Sequence, residues 1–245
     1  MSYSKDMCPK TQHDINYMKN IPYSNVVGSL LYLSITCRPD ISYIVSVLSR
    51  FMQNPGIQHW EGIKKILRYL KGTTNLGITY GGNKFTHGDT KNVLSMFTDS
   101  DWAACEDTRR SLSAYVIVLN GGPIQWKCKY QSIIAQSSTE AEYISVANAC
   151  NELTWICRLM SFLCYSQKCV DVYIDNRSAI SIASNQKDDR RTRHIDVKYH
   201  LIKKLVADKQ IRLHHIPGSS NPADMLTKPE TNVMFLNMRR LLMTR

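Results

Sequence analysis

Apolar residues recur at a helical spacing from Ser24 to Thr36, and beyond the interruption at Pro39 the residues Ile41, Ile44, Val45 and Leu48 fall at i, i+3, i+4 and i+7 of a second helix. Asn54-Pro55-Gly56 marks a turn into a third helix, expected from about His59 to Lys71. It places Ile63, Ile66, Leu67 and Leu70 inward and Lys64, Lys65, Arg68 and Lys71 mostly outward. The first twenty residues are polar and lack this periodicity, so 1–20 reads as a poorly ordered leader and 21–73 as a small helical unit. Gly72 to Asp89 is rich in Gly, Thr and Asn. It reads as a connector, 74–92 in extent, with one short strand around Gly77 to Tyr80.

The pattern changes after the connector. Leu94 to Thr98, Ser113 to Leu119 and Ile124 to Gln131 read as three consecutive strands, with Asn120-Gly121-Gly122 as a hairpin turn between the last two. Ser138 opens a long helix with Tyr143, Val146, Ala147, Cys150, Leu153 and Cys157 on one apolar face, ending near Tyr165. Val170 to Ile174 is a fourth strand, followed by helices at Ser178 to Ser184 and about Ile195 to Asp208. Ile211 to Ile216 is a fifth strand, and Pro222 opens a helix toward Thr227. This order predicts an α/β unit over 93–230, a mixed five-stranded sheet flanked by helices, with 231–245 as a basic tail or a further helix.

Composition narrows the function classes. The 245 residues carry 31 Lys and Arg against 20 Asp and Glu, a formal charge of +11 that favours a polyanionic partner, nucleic acid or anionic membrane. The longest nearly apolar stretch, Val26 to Thr36, is broken by Ser29 and Ser34 and reaches about half the roughly 20 residues of a bilayer crossing, so no span is expected. Lys5, Asp6, Lys10 and Asp14 interrupt any secretory h-region, which makes an intracellular location the expectation. The eight cysteines form no CxxC pair and read as reduced thiols. No GxxxxGK[ST], GxSxG or HExxH motif occurs, so NTPase, α/β-hydrolase and zincin chemistry lack support.

Four acids stand where this topology would bring element ends together. Asp99 ends the first strand in FTDSDW, Glu142 lies in the first turns of the long helix in SSTEAEY, Asp175 ends the fourth strand in VYIDN, and Asp224 lies in NPADMLTK. Clustered carboxylates repel unless a cation neutralises them, and an all-oxygen set suits Mg²⁺ or Mn²⁺. Two such ions can activate water and stabilise the leaving oxygen in phosphodiester cleavage. Each acid also has a simpler role open to it: strand-end turns for Asp99 and Asp175, a helix-dipole partner for Glu142, and a place in a first helical turn for Asp224. Asp101 reads as an outer or surface carboxylate. Glu140, about 200° around the helix from Glu142, reads as solvent-facing or as an N-terminal dipole partner.

At these residues the sequence resembles the C-terminal part of copia-type LTR-retrotransposon Pol polyproteins, from the end of reverse transcriptase through ribonuclease H. The resemblance rests on the run from Val26 to Thr73, on FTDSDWA (97–103), SSTEAEYIS (137–145), RTRHIDVKYHLI (191–202) and NPADMLTKP (221–229). It implies an RNase H-like fold in which Asp99, Glu142, Asp175 and Asp224 bind two Mg²⁺ (or Mn²⁺) ions and hydrolyse the RNA strand of an RNA–DNA hybrid. It also implies a helical reverse-transcriptase remnant over 21–73 and an upstream reverse transcriptase as partner in a full polyprotein. The location would be cytoplasmic, in a virus-like particle, or nuclear. The YxDD signature of the polymerase palm is absent, so polymerisation is not expected. A catalytically silent nucleic-acid-binding fragment, or a relic, is the alternative.

Contacts to the hybrid are expected from Arg190, Arg191, Arg193 and His194, a phosphate-binding cluster or else a basic solvated loop, and from Ser138 and Thr139, backbone contacts or else an N-cap. His194 and His200 stand about 240° apart on a helix and are poor joint metal ligands. Trp102, Trp126 and Tyr130 read as packing residues rather than base-stacking ones.

Overall fold

The computed structural model describes residues 3–81, 92–184 and 196–244, with side chains omitted at 196–199. Four helices come first: α1 (Gln12–Lys19), α2 (Tyr23–Thr36), α3 (Ser42–Ser49) and α4 (Ile57–Lys71). Val27, Leu30, Val45, Leu48, Ile63 and Ile66 make a core shared by α2, α3 and α4. The leader expected over 1–20 is therefore corrected from residue 3 onward. Thr11 caps α1 by accepting the Asp14 N–H at 3.2 Å, and Tyr3 and Met18 are buried. Two glycines of the α4 region admit this segment: a Cβ at Gly56 would lie 1.8 Å from the Met7 carbonyl oxygen, and one at Gly62 2.5 Å from the Tyr3 hydroxyl. Tyr3 meets α4 at His59 and Gly62, far along the chain, so no local period announces it.

The sheet comprises β1 (Leu94–Asp101), β2 (Leu112–Leu119), β3 (Gly122–Tyr130), β4 (Val170–Ile174) and β5 (Ile211–His215), in the order β3-β2-β1-β4-β5. The first three strands are antiparallel, and β1, β4 and β5 run parallel. Asn120 and Gly121 turn the β2–β3 hairpin with φ of 50° and 76°, the left-handed pair that a tight two-residue turn requires. Helices α5 (Ser138–Phe162), α6 (Arg177–Ser184) and α7 (Asp196–Ala207) cover one face, where Leu94, Met96 and Ile117 meet Tyr143, Ile144 and Leu153. This is the mixed five-stranded sheet flanked by helices that the sequence predicts.

The opposite face presents Phe97, Val116, Val118 and Trp126 to Met225, Leu226 and the last helix, α8 (Asn232–Leu242), through Met238 and Leu242. The N-terminal helices dock on this side. Trp126 donates its indole N–H to the Ser34 carbonyl at 2.7 Å, Arg50 reaches the Tyr130 hydroxyl at 3.1 Å and pairs with Asp107, and Arg239 of α8 donates to the Tyr69 hydroxyl at 2.9 Å.

Two expected elements take other forms. Gly77 to Tyr80 contributes a single bridge, Gly77 to Thr244, instead of a strand. The helix expected from Pro222 toward Thr227 is a 3-10 turn, Asp224–Leu226, because Pro229 disfavours helical backbone at Lys228 and removes the next donor. No helix among the described residues is long and apolar enough to cross a membrane.

Candidate metal centre

Register places the first two carboxylates side by side. Phe97 of β1 pairs with Tyr173 of β4 and their rings stack at 4.8 Å, so the next residues on that face, Asp99 and Asp175, emerge together where the parallel strands end. The 3-10 turn brings Asp224 to the same place from below the sheet. One carboxylate oxygen from each of Asp99, Asp175 and Asp224 lies within 4.8 Å of the others. Asn221 anchors the turn, its side-chain amide donating to the Thr98 carbonyl at 2.8 Å. Thr227 at the turn's end donates its hydroxyl to Asp99 Oδ2.

Glu142 approaches from the α5 face and lies outside the group of three. Its Oε1 accepts from Ser100 N–H and Ser100 Oγ, each at 2.9 Å, while Oε2 is buried without a hydrogen-bond partner. Ser145, one turn along α5, donates to the Asp99 carbonyl at 2.8 Å and ties helix to strand.

Burial and mutual repulsion set the electrostatics. Asp99 is 2% exposed, and desolvation, with Asp224 and Asp175 adding to it, pushes its carboxyl up to about 7 against the pull of the Thr227 hydroxyl. Glu142 is raised well above the usual carboxylate range by burial and by Asp99 and Asp175. Asp175 is raised by burial and by Asp224. Lys228 stands at 2.5 Å from Asp224 Oδ1 as an ion pair without hydrogen-bond alignment. The donor set is all oxygen, its charges are desolvated, and a buried Glu142 oxygen has no partner. These residues fit hard divalent cations.

No protein-family model matches the chain. It is 42% identical over 228 residues, 93% of its length, to the retrovirus-related Pol polyprotein from transposon TNT 1-94 of Nicotiana tabacum, of which it spans 17%. It is 40% identical over 139 residues to the secreted RxLR effector protein 161 of Plasmopara viticola, covering 57% of this chain and 94% of that one. The chain belongs to the Pol polyproteins of copia-type transposons. The chain spans about a sixth of this transposon relative's length. Among solved structures, LC11-RNase H1 isolated from compost superposes with a TM-score of 0.44 at 17% identity, over 56% of this chain and 93% of that one. A likeness of that size adds nothing to the topology described above.

Of the other residues singled out in this Pol segment, Arg190, Arg191, Arg193 and His194 lie outside the described residues. Ser138 is exposed and Thr139 half-buried at the start of α5. The N-cap is neither of them but Ser137, whose side chain accepts the Glu140 N–H at 3.1 Å while Glu140 Oε2 accepts the Gln136 N–H at 2.8 Å. Glu140 is thus buried against the backbone that leads into the helix, a correction to its solvent-facing reading, while its place in the first helical turn fits the N-terminal dipole reading. Asp101 is half-buried, its carboxyl raised by desolvation. Trp126 is buried, whereas Trp102 is half exposed and donates its indole N–H to the Ala135 carbonyl at 3.0 Å. Sequence reasoning missed Ser100, Ser145, Asn221, Thr227 and Lys228. All five lie inside the motifs that carry the acids, and only contacts across the fold give them roles.

Proposed function

We propose that this Pol segment is a ribonuclease H that hydrolyses the RNA strand of RNA–DNA hybrids with the help of two Mg²⁺ or Mn²⁺ ions. The observation that carries this reading is the convergence of Asp99, Asp175 and Asp224 within 4.8 Å in an RNase H-like sheet. When bound, divalent ions activate water and stabilise the departing oxygen. The chain's own residues have distinct tasks. Asp99, Asp175 and Asp224 offer carboxylate oxygens from three separate elements. Glu142, fixed through Oε1 by Ser100, offers Oε2, and Thr227 orients Asp99.

Ser138 and Thr139 contact the hybrid's backbone at the helix start, and Arg190, Arg191, Arg193 and His194 hold phosphate oxygens by charge-assisted hydrogen bonds. The net charge of +11 supports a polyanionic substrate. In a full-length polyprotein the upstream reverse transcriptase supplies the hybrid.

The test is a cleavage assay on a labelled RNA–DNA hybrid with Mg²⁺, with chelator, and with Asp99→Asn and Asp175→Asn. Metal-dependent RNA cutting that either substitution abolishes is the expected result. A well-folded chain that binds hybrid in a salt-sensitive way but leaves the RNA intact under all conditions would establish a binding module instead.

A further inference from the structure

The carboxylate cluster carries a cation of its own. Lys228 follows Asp224 by four residues, and the turn between them sets its Nζ 2.5 Å from Asp224 Oδ1. Asp224 is deeply buried there, whereas the Lys228 side chain is 43% exposed, so the ammonium has a path back to water. The same charge reaches beyond Asp224: it pulls the carboxyls of Asp99, Asp101 and Asp175 downward against the burial that raises them. Like charges this close repel, and a flexible lysine stem suits a cation that comes and goes.

Resting on the reading of this cluster as a divalent-metal site, we propose that Lys228 is an internal counter-cation that holds Asp224 and competes with the divalent ion for it. The ammonium keeps the acids together at low metal concentration and must leave Asp224 Oδ1 before that oxygen can serve as a ligand. Lys228 is a positioning residue in this scheme, and it sets the metal concentration at which the site assembles.

Two measurements on the full chain test this without reading cleavage. In calorimetry with Mn²⁺ alone, Lys228→Gln binds the ion roughly two- to fivefold more tightly than the unsubstituted protein, the range expected on removing a partly screened competing charge. Asp175→Asn serves as the weakened-binding control. In the unsubstituted chain, acetylation of the Lys228 amine by an N-hydroxysuccinimide ester, followed by peptide mass spectrometry, is slow in chelator and accelerates when Mg²⁺ is added. Unchanged or weaker Mn²⁺ binding by Lys228→Gln overturns the proposal, as does acetylation that Mg²⁺ leaves unchanged or slows. The second arm decides alone if Lys228→Gln does not fold. Loss of hybrid cleavage with metal binding intact would reject the ribonuclease reading and leave this one standing.

Discussion

Trp126 on β3 donates its indole N–H to the carbonyl of Ser34 in α2, 92 residues earlier, at 2.7 Å in a buried setting. Ser42 Oγ donates to the same carbonyl at 3.0 Å. One buried acceptor thus joins two helices of the N-terminal unit to the sheet that carries Asp99, and helices and sheet should unfold as one unit. Trp126→Phe, which keeps most of the ring but loses the donor, should cost about 1 to 2 kcal/mol, and Trp126→Ala about 3 to 5. Urea denaturation followed by circular dichroism should show a single transition moving to lower midpoint. Two separated transitions in the unsubstituted chain would contradict the coupling.

A second joint runs through charge. Arg38 contacts Asp40 through two hydrogen bonds of 2.9 and 2.8 Å, and Tyr69, which receives the Arg239 bond from α8, donates to Asp40 as well. Both members of the pair are buried. Asp40→Ala leaves a buried guanidinium without its counter-charge, and the expected loss is about 3 to 5 kcal/mol. Tyr69→Phe should cost about 1 to 2 kcal/mol. Denaturant midpoints for the two variants check the order.

Stability should fall with rising pH when chelator is present. Burial raises the carboxyl of Asp99 to about 7 and that of Glu142 well above its usual range, so between the ordinary carboxylate range and about pH 7 the folded chain holds protons that the unfolded chain has released. The contribution of these groups is therefore present at low pH and is lost as pH rises through the folded value. Melting temperatures in chelator should decline from about pH 5 to pH 8, Asp99→Asn should flatten the decline, and Mg²⁺ at pH 8 should reverse it. A melting temperature that climbs over this window in chelator would contradict the assignment of these two groups.

Gly56→Ala should release the N-terminal segment. The added methyl would overlap the Met7 carbonyl, which is backbone and cannot rotate aside. Limited proteolysis should cut near residues 4–11 in the variant and spare them in the unsubstituted protein. Equal protection of both chains would show that the segment is held by other contacts.

The sheet was legible because its strands and long helix have strong local periods: Val170–Ile174 is the fourth strand as predicted, and α5 begins at Ser138. The acids were legible on or beside these elements, although β1 runs two residues past Asp99, to Asp101. The N-terminal helix α1 was not, since it buries only Met18 and so shows no apolar stripe, and Tyr3 before it packs on His59 of α4. Of the two readings of Glu140 the solvent-facing one failed for a related reason: angular position on a helix says nothing of the backbone that folds over its first turn, where Gln136 donates to it.

The sequence by itself determined the five strands and the long helix, the four acids on or beside such elements, and the basic charge of the chain. Each of these follows from neighbours within a few residues. Tertiary structure alone decided that Asp99, Asp175 and Asp224 share one small volume while Glu142 stands beside them with an unpaired oxygen, that Thr227 donates to Asp99, and that Lys228 forms an ion pair with Asp224. Strand register, a turn stopped short by Pro229 and a sheet held between two helical layers set those distances, and each depends on contacts between residues up to 128 positions apart.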